Sequence, residues 1–200
     1  MTASIAESAA LREKVRGAYS DAAENPDEER PFPVGRKFAE SIGYPPDLLE
    51  SLPSVAFDAF AGVSNVSIFA DLPVGATVLD LGCGSGTDTL IASRRVGASG
   101  KVIGVDFSAS MLSRGRQAVA KSGVVNVELR ESEAERLPIA DGEIDVAIVN
   151  GIFNLNPARE AIFRELARVI KPSGKLFVAE LILRQPLPPE TRSSETDWFA

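Results

Sequence analysis

The sequence has no histidine and a single cysteine, Cys83, among its 200 residues. The first absence excludes every mechanism built on an imidazole base or an imidazole metal ligand. The second excludes an intrachain disulfide, and a lone cysteine without histidine makes no Cys/His metal set, so no metal site is expected. Basic residues are in deficit: 21 Lys and Arg stand against 28 Asp and Glu, a net charge of −7. That balance disfavours a protein that works by neutralising a phosphate backbone, and no nucleic-acid partner is expected. No apolar run approaches the ~18 residues of a membrane span. The start, MTASIAESAALREK, lacks the basic-then-apolar order of a signal peptide. What remains, 44% apolar and 24% charged, is enough for a sizeable core and points to a cytoplasmic α/β protein.

Composition divides the chain. Residues 1–73 are broken by prolines and carry short apolar clusters; 74–183 alternate apolar runs with amphipathic stretches; 184–200 show no periodic pattern. In the first part, Leu11, Val15 and Tyr19 fall on one helical face and predict a helix over 4–19. Pro46 and Pro53 each open a short helical start. Periodic apolar positions are too few for this part to fold alone, so it reads as a helical cap packed on the rest.

From Ala76 the pattern becomes strand, helix, strand. ATVLDLG is a short apolar strand ending in glycine, followed by a helix over 86–96, the strand KVIGVD, a helix over 110–121, and the strands VVNVELR and EIDVAIVN. Asn156 and Pro157 read as N-cap and first residue of a further helix with Ile162, Leu166 and Val169 buried. KLFVAELIL is a fifth strand. This alternation predicts a doubly wound, mostly parallel α/β sheet. VVNVELR alternates apolar and polar residues as an exposed edge does, whereas VLDL and DVAIV do not and belong inside. KLFVAELIL is apolar on both faces and should have neighbours on both sides, yet no sixth strand follows it.

The informative stretch is Val78-Leu79-Asp80-Leu81-Gly82-Cys83-Gly84-Ser85-Gly86. Three glycines leave a strand and enter a helix, where the backbone can approach a ligand and helix N–H groups are unpaired. A loop ending Gly86-Thr87-Asp88 has no Walker lysine. The spacing G-x-G-x-G puts Thr87 where a dinucleotide fingerprint needs its third glycine, so a nicotinamide dinucleotide is a weaker fit. Asp80 would repel a pyrophosphate and suits a cation such as an amine or sulfonium. Asp106, at the second strand's end, stands where ribose hydroxyls are bound in such sheets.

VLDLGCGSG, GVDFS, the stretch Glu133-Ala134-Glu135-Arg136-Leu137-Pro138 before DVAIVN, and VIKPSGKL resemble, in order, the motifs of class I S-adenosylmethionine-dependent methyltransferases. The resemblance covers about 74–183. It implies a Rossmann-like methyltransferase fold and S-adenosylmethionine as cofactor. Gly82, Cys83, Gly84 and Gly86 would lie against its methionine portion, with Asp80 near its amino group. Asp106 would bind the ribose and Phe107 flank the adenine. Glu133 and Ala134 would read the adenine edge, and Asn150 would line the gap toward a small-molecule methyl acceptor. GYPPDLLESLP, AGVSN and the Asn154–Pro157 stretch are similar to the arsenite methyltransferase branch, but its two arsenic-binding cysteines correspond here to Val63 and Gly151.

Methyl transfer from a sulfonium needs little acid–base machinery, so missing histidines are no obstacle, and no residue is assigned as a base. The class commonly ends in an antiparallel strand pair that this sequence lacks. The alternatives are therefore a truncated or non-catalytic cofactor-binding domain working with a partner chain, or self-association through the fifth strand; arsenite methylation is weaker still. Plainer roles stand beside these: Cys83 as a packed residue, Glu133 and Glu135 as solvated charges, and Phe57, Phe60 and Phe69 as core. Tyr19 and Tyr44 are candidate substrate contacts by position alone, Tyr19 being better suited to helix packing, and Trp198 and Phe199 should dock on something.

Overall fold

The computed structural model describes residues 5–26, 28 and 30–182, with side chains from residue 10 onward. Trp198, Phe199 and the rest of the expected tail lie outside the described residues. Helix α1 (Ile5–Glu24) runs one turn past its predicted end. The extra turn is held by packing: Ala22 and Ala23 are buried with Phe32, Ala59 and Met111. Two short helices, α2 (Arg36–Ser41) and α3 (Pro46–Glu50), lead to a 3-10 turn over Ser54–Ala56 and to α4 (Val66–Phe69). Helices α2 and α4 are too short to show a 3.6-residue period, which is why the pattern passes over them.

The sheet follows: β1 (Thr77–Leu81), α5 (Thr87–Val96), β2 (Lys101–Asp106), α6 (Ala109–Ser122), β3 (Val127–Glu131), β4 (Ile144–Asn150), α7 (Arg159–Val169) and β5 (Ile170–Ala179). All neighbours are parallel, in the order β3-β2-β1-β4-β5. As expected, β3 is an edge and β1 and β4 are interior. The order reverses between β1 and β4, so the crevice beyond their carboxyl ends is where such a sheet binds its ligand.

Strand alternation decides what reaches that crevice. Leu79, Leu81, Ile103, Val105, Ala147 and Val149 face α7, whose Ile162, Leu166 and Val169 complete one core. Val78, Val102, Val146 and Ile148 face Ala92 and Val96 of α5 and Val66 of α4 in another. Counting by two along the second face from Val78, Val102 and Ile148 arrives at Asp80, Asp106 and Asn150. One face of three adjacent strands therefore ends in three polar side chains.

The boundaries of α7 and β5 also depart from expectation. Helix α7 starts at Arg159, not Pro157; Asn156 Oδ1 instead accepts from Ala158 N at 2.7 Å and forms a turn just ahead of the helix. β5 pairs regularly with β4 only from Lys175 to Ala179, after a register shift, and stops four residues before the predicted end. It is also an edge strand among the described residues, not one with two neighbours, and Leu176 and Val178 stay exposed. Phe57 and Phe60 are core, but Phe69 is half exposed. Among the described residues no helix is long and apolar enough to cross a membrane.

Candidate functional site

The chain leaves β1 through the glycine loop. Gly82 N and Cys83 N both donate to Val105 O on the next strand, at 2.8 and 3.0 Å, which folds the loop back over the sheet end. Gly82 has φ +79°, and a Cβ there would lie 2.4 Å from Ile152 Cγ2. Only glycine meets both conditions. Gly86 (φ +94°) is the N-cap of α5 and packs toward Gly115 of α6; it supports the loop from behind and is not among the residues that line the cavity. Gly82, Cys83 and Gly84 do line it. The cavity measures about 120 Å³. Burial pushes the Cys83 thiol well up from its ordinary value, so it is a packed neutral side chain with no thiolate character.

Three aspartates border this space, and they differ in how well they are compensated. Asp106 is held by backbone: its Oδ2 accepts from Gly84 N and its Oδ1 from Ser108 N, both at 2.9 Å. These amides oppose the upward pull of burial on its pKa. Asp88, in the first turn of α5, receives Tyr44 Oη (2.6 Å), Ser67 Oγ and Asn150 Nδ2 (2.9 Å). Burial raises it too, against those donors. Asp80 is only 2% exposed, and the side chain that bonds it is Thr89, whose Oγ1 donates at 2.5 Å. Burial first, then repulsion from Asp88 and Asp106, pushes its carboxyl well above the usual range. The site thus holds one poorly compensated buried acid between two better satisfied ones, which is an environment for a cation. No cluster of His, Cys, Asp and Glu among the described residues is arranged to hold a metal.

Asn150 borders the cavity, but its amide is engaged. Oδ1 accepts from Val63 N (2.9 Å) and Ser64 N (3.1 Å); Nδ2 donates to Ser64 O (2.7 Å) and Asp88. It fastens the 62–64 loop over the sheet end, so close that a Cβ on Gly62 would sit 2.5 Å from Nδ2. Ser85 Oγ and Thr87 Oγ1 both donate to Ala56 O, at 2.6 and 2.7 Å, and tie the glycine loop to the same segment. Tyr44 is 1% exposed, bonded to Asp88 and set back from the cavity, so its candidacy as a substrate contact does not hold. None of this network was legible beforehand; Asp88 follows the glycines directly, but its partners lie 21 to 62 residues away.

The other wall is built by Phe107, Ser132, Glu133 and Ala134, with α1 as its roof. Arg16 lies over the Phe107 ring (5.1 Å), donates to Phe107 O (2.7 Å) and pairs with Glu133. Arg12 pairs with Glu135 at 3.0 Å. Glu133 and Glu135 are therefore bound to α1, not free surface charges. Tyr19 borders the cavity and stacks on Phe32 at 5.3 Å; burial and Asp106 push its phenol up, so it stays neutral. The rest of the lining is largely apolar, from Val15 of α1 and from Phe60, Ala61, Ile152 and Leu155. Of the sequence-predicted site residues, the fold brings together Asp80, Gly82, Cys83, Gly84, Asp106, Phe107, Glu133, Ala134 and Asn150, and leaves out Gly86.

The family described as "Methyltransferase domain" matches residues 73–199, more than half of the chain. An arsenite methyltransferase of Halobacterium salinarum is 38% identical over 154 residues, covering 77% of this chain and 39% of that protein. A demethylmenaquinone methyltransferase of Shouchella clausii is 40% identical over 111 residues, covering 55% of this chain and 47% of that one. The chain spans less than half the length of these curated relatives. Among solved structures, an arsenic(III) S-adenosylmethionine methyltransferase from Chlamydomonas reinhardtii superposes with a TM-score of 0.62 at 28% identity, covering 78% of this chain and 52% of that one.

Proposed function

Because the chain belongs to the class I S-adenosylmethionine-dependent methyltransferases, we propose that it catalyses methyl transfer from S-adenosylmethionine to a small apolar acceptor by in-line displacement. The observation that carries this reading is the under-compensated Asp80 at the base of a glycine-lined cavity. A bound cation would offset its charge, and the donor has both an ammonium and a sulfonium. Gly82 and Gly84, which line the cavity with backbone alone, would lie against the methionine portion. Asp106, held by Gly84 N and Ser108 N, is a fixed acceptor for ribose hydroxyls. Phe107 and Ala134 line the same wall and would flank the adenine, with Glu133 at its edge.

Bound there, S-adenosylmethionine supplies an electrophilic methyl whose sulfur leaves as a neutral thioether. The protein's own contribution is alignment and exclusion of water. Asn150 acts through the loop it fastens: with Val63 and Ser64 held, Phe60 and Ala61 keep a fixed apolar wall for the acceptor. Val63 and Gly151 support an acceptor other than thiolate-held arsenite. They are neighbours, a Cβ on Gly151 falling 3.0 Å from Val63 Cγ1, and neither offers a sulfur. The single packed thiol fits a cytoplasmic setting.

Calorimetric titration with S-adenosylmethionine and S-adenosylhomocysteine, with NADH as control, tests the cofactor. Binding of both adenosyl ligands and not NADH is expected; a folded chain that binds neither refutes the reading. Production of S-adenosylhomocysteine with an apolar hydroquinone, set against arsenite plus glutathione, then tests the acceptor. Turnover with arsenite alone would overturn the apolar assignment.

A further inference from the structure

We propose that Arg16 is a positioning residue that latches α1 over the adenosine half of the site and sets how long the cofactor stays bound. The inference rests on the cofactor reading above. It concerns an element that lies wholly before the matched region, 73–199.

Helix α1 packs its C-terminal half on α6 and Phe32, and a row of its polar side chains reaches the rim of the cavity. Arg12 and Arg16, one turn apart, reach Glu135 and Glu133 on the connection after β3. Arg16 Nη1 also donates to Phe107 O at 2.7 Å. Ser20 shares a hydrogen bond with Ser108 at 2.9 Å, and Glu24 accepts from Ser110 Oγ at 2.7 Å. Glu133, Glu135, Phe107 and Ser108 sit on the two connections that carry Asp106 with Phe107, and Glu133 with Ala134, and Ser110 lies in the first turn of α6 just after the first of them. Between the polar contacts, Val15 and Tyr19 border the cavity itself. A ligand whose ribose lies at Asp106 and whose adenine lies on Phe107 would have α1 above it, so its release requires that edge of α1 to lift. Arg16 is the residue with most to break when it does, namely an ion pair, a carbonyl bond and a ring contact.

The Arg16 side chain is 32% exposed and that of Glu133 42%, so the ion pair is open to screening by salt while the carbonyl bond is not. That gives the latch a readout that a purely structural role would not produce. Release of S-adenosylhomocysteine, whose sulfur is neutral, is followed by stopped-flow displacement at about 0.05 M and about 1 M NaCl. Wild-type release should speed up with salt. Arg16→Gln should release about fivefold faster at low salt, near the upper limit for a partly exposed pair, and respond less to added salt. Arg16→Lys should fall between, keeping the charge but losing the fork. Equal release rates for wild type and Arg16→Gln at both salt concentrations would overturn the latch. A lowered ligand-free melting temperature with unchanged release would assign Arg16 to stability alone and would also overturn it. If the wild-type chain binds no S-adenosylhomocysteine at all, it is the cofactor reading that fails.

Discussion

Asp80 is held in the folded chain at a cost to stability. Its pKa in the unfolded chain is ~3.9, and burial and two neighbouring acids raise it in the folded one. The folded state then binds the proton more tightly, so ligand-free stability is greatest with the proton on and declines as pH rises through the raised value. Asp88 and Asp106 are shifted in the same direction. The melting temperature of the ligand-free chain should therefore climb as pH is lowered from 7 toward 5, and Asp80→Asn should flatten that climb. The same variant should gain about 1–3 kcal/mol of stability at neutral pH and lose at least about tenfold in affinity for S-adenosylmethionine. Differential scanning calorimetry and titration read the two effects, which have opposite signs. A variant that lost stability and affinity together would make Asp80 a structural residue. At this scale the sequence was informative wherever chemistry depends on residue type at fixed spacing: Gly82, Gly84, Asp80 and Asp106 were legible as residues that line the cavity, whereas Gly86 was not, because its place is set by Gly115 behind it. Asn150 was legible as a place but not as a role, because its partners Val63 and Ser64 sit on a loop that nothing in the local pattern positions.

Among elements, the segment from α2 to α4 is the least regular and the most tightly fastened. Tyr44 Oη lies 2.6 Å from Asp88 Oδ1 and 3.1 Å from Ser64 O, and the tyrosine packs edge-on against Phe60 at 5.1 Å. Tyr44→Phe keeps the packing and removes the hydroxyl, leaving Asp88 one donor short in a buried site. A loss of about 1–3 kcal/mol in urea unfolding is expected, together with a rise in KM for the acceptor larger than any fall in affinity for S-adenosylhomocysteine. Unchanged stability would show that Ser67 and Asn150 satisfy Asp88 between them. The strands were legible because apolar runs ending in glycine or acid mark them sharply, and α1, α5, α6 and α7 because each carries several turns of period. The end of α1 and the start of β5 were not. Ala22 and Ala23 belong to the helix because of what they touch, and β5 enters through a register shift against Ile144 and Val146 that only the neighbouring strand defines.

At the scale of the molecule, β5 is the edge of the sheet among the described residues, with Leu176 and Val178 on it and Leu181 and Ile182 just after it exposed. An apolar strand edge of this kind pairs readily with another. We propose that it mediates self-association, to be seen as a mass in light scattering that grows with protein concentration and falls back in Leu176→Lys. A mass that stays monomeric at every concentration would rule the edge out. KLFVAELIL reads as a strand that wants a neighbour on each side, and among the described residues only β4 pairs with it, since alternation reports what faces a strand and not what lies beside it.

The bonds from Asn150 to Val63 and Ser64 join positions 87 and 86 residues apart, and that separation has a consequence during synthesis. At about 5–20 residues per second, roughly 4–17 s pass between the appearance of the 62–64 loop and that of its anchor. Through that interval the 62–64 loop has no anchor, although Phe57 and Phe60 meet Leu90, Ile91 and Ala118 as soon as α5 and α6 have emerged. The apolar segment is therefore most in need of a holding chaperone before α5 and α6 appear, and a ribosome pause placed ahead of them would prolong the exposure.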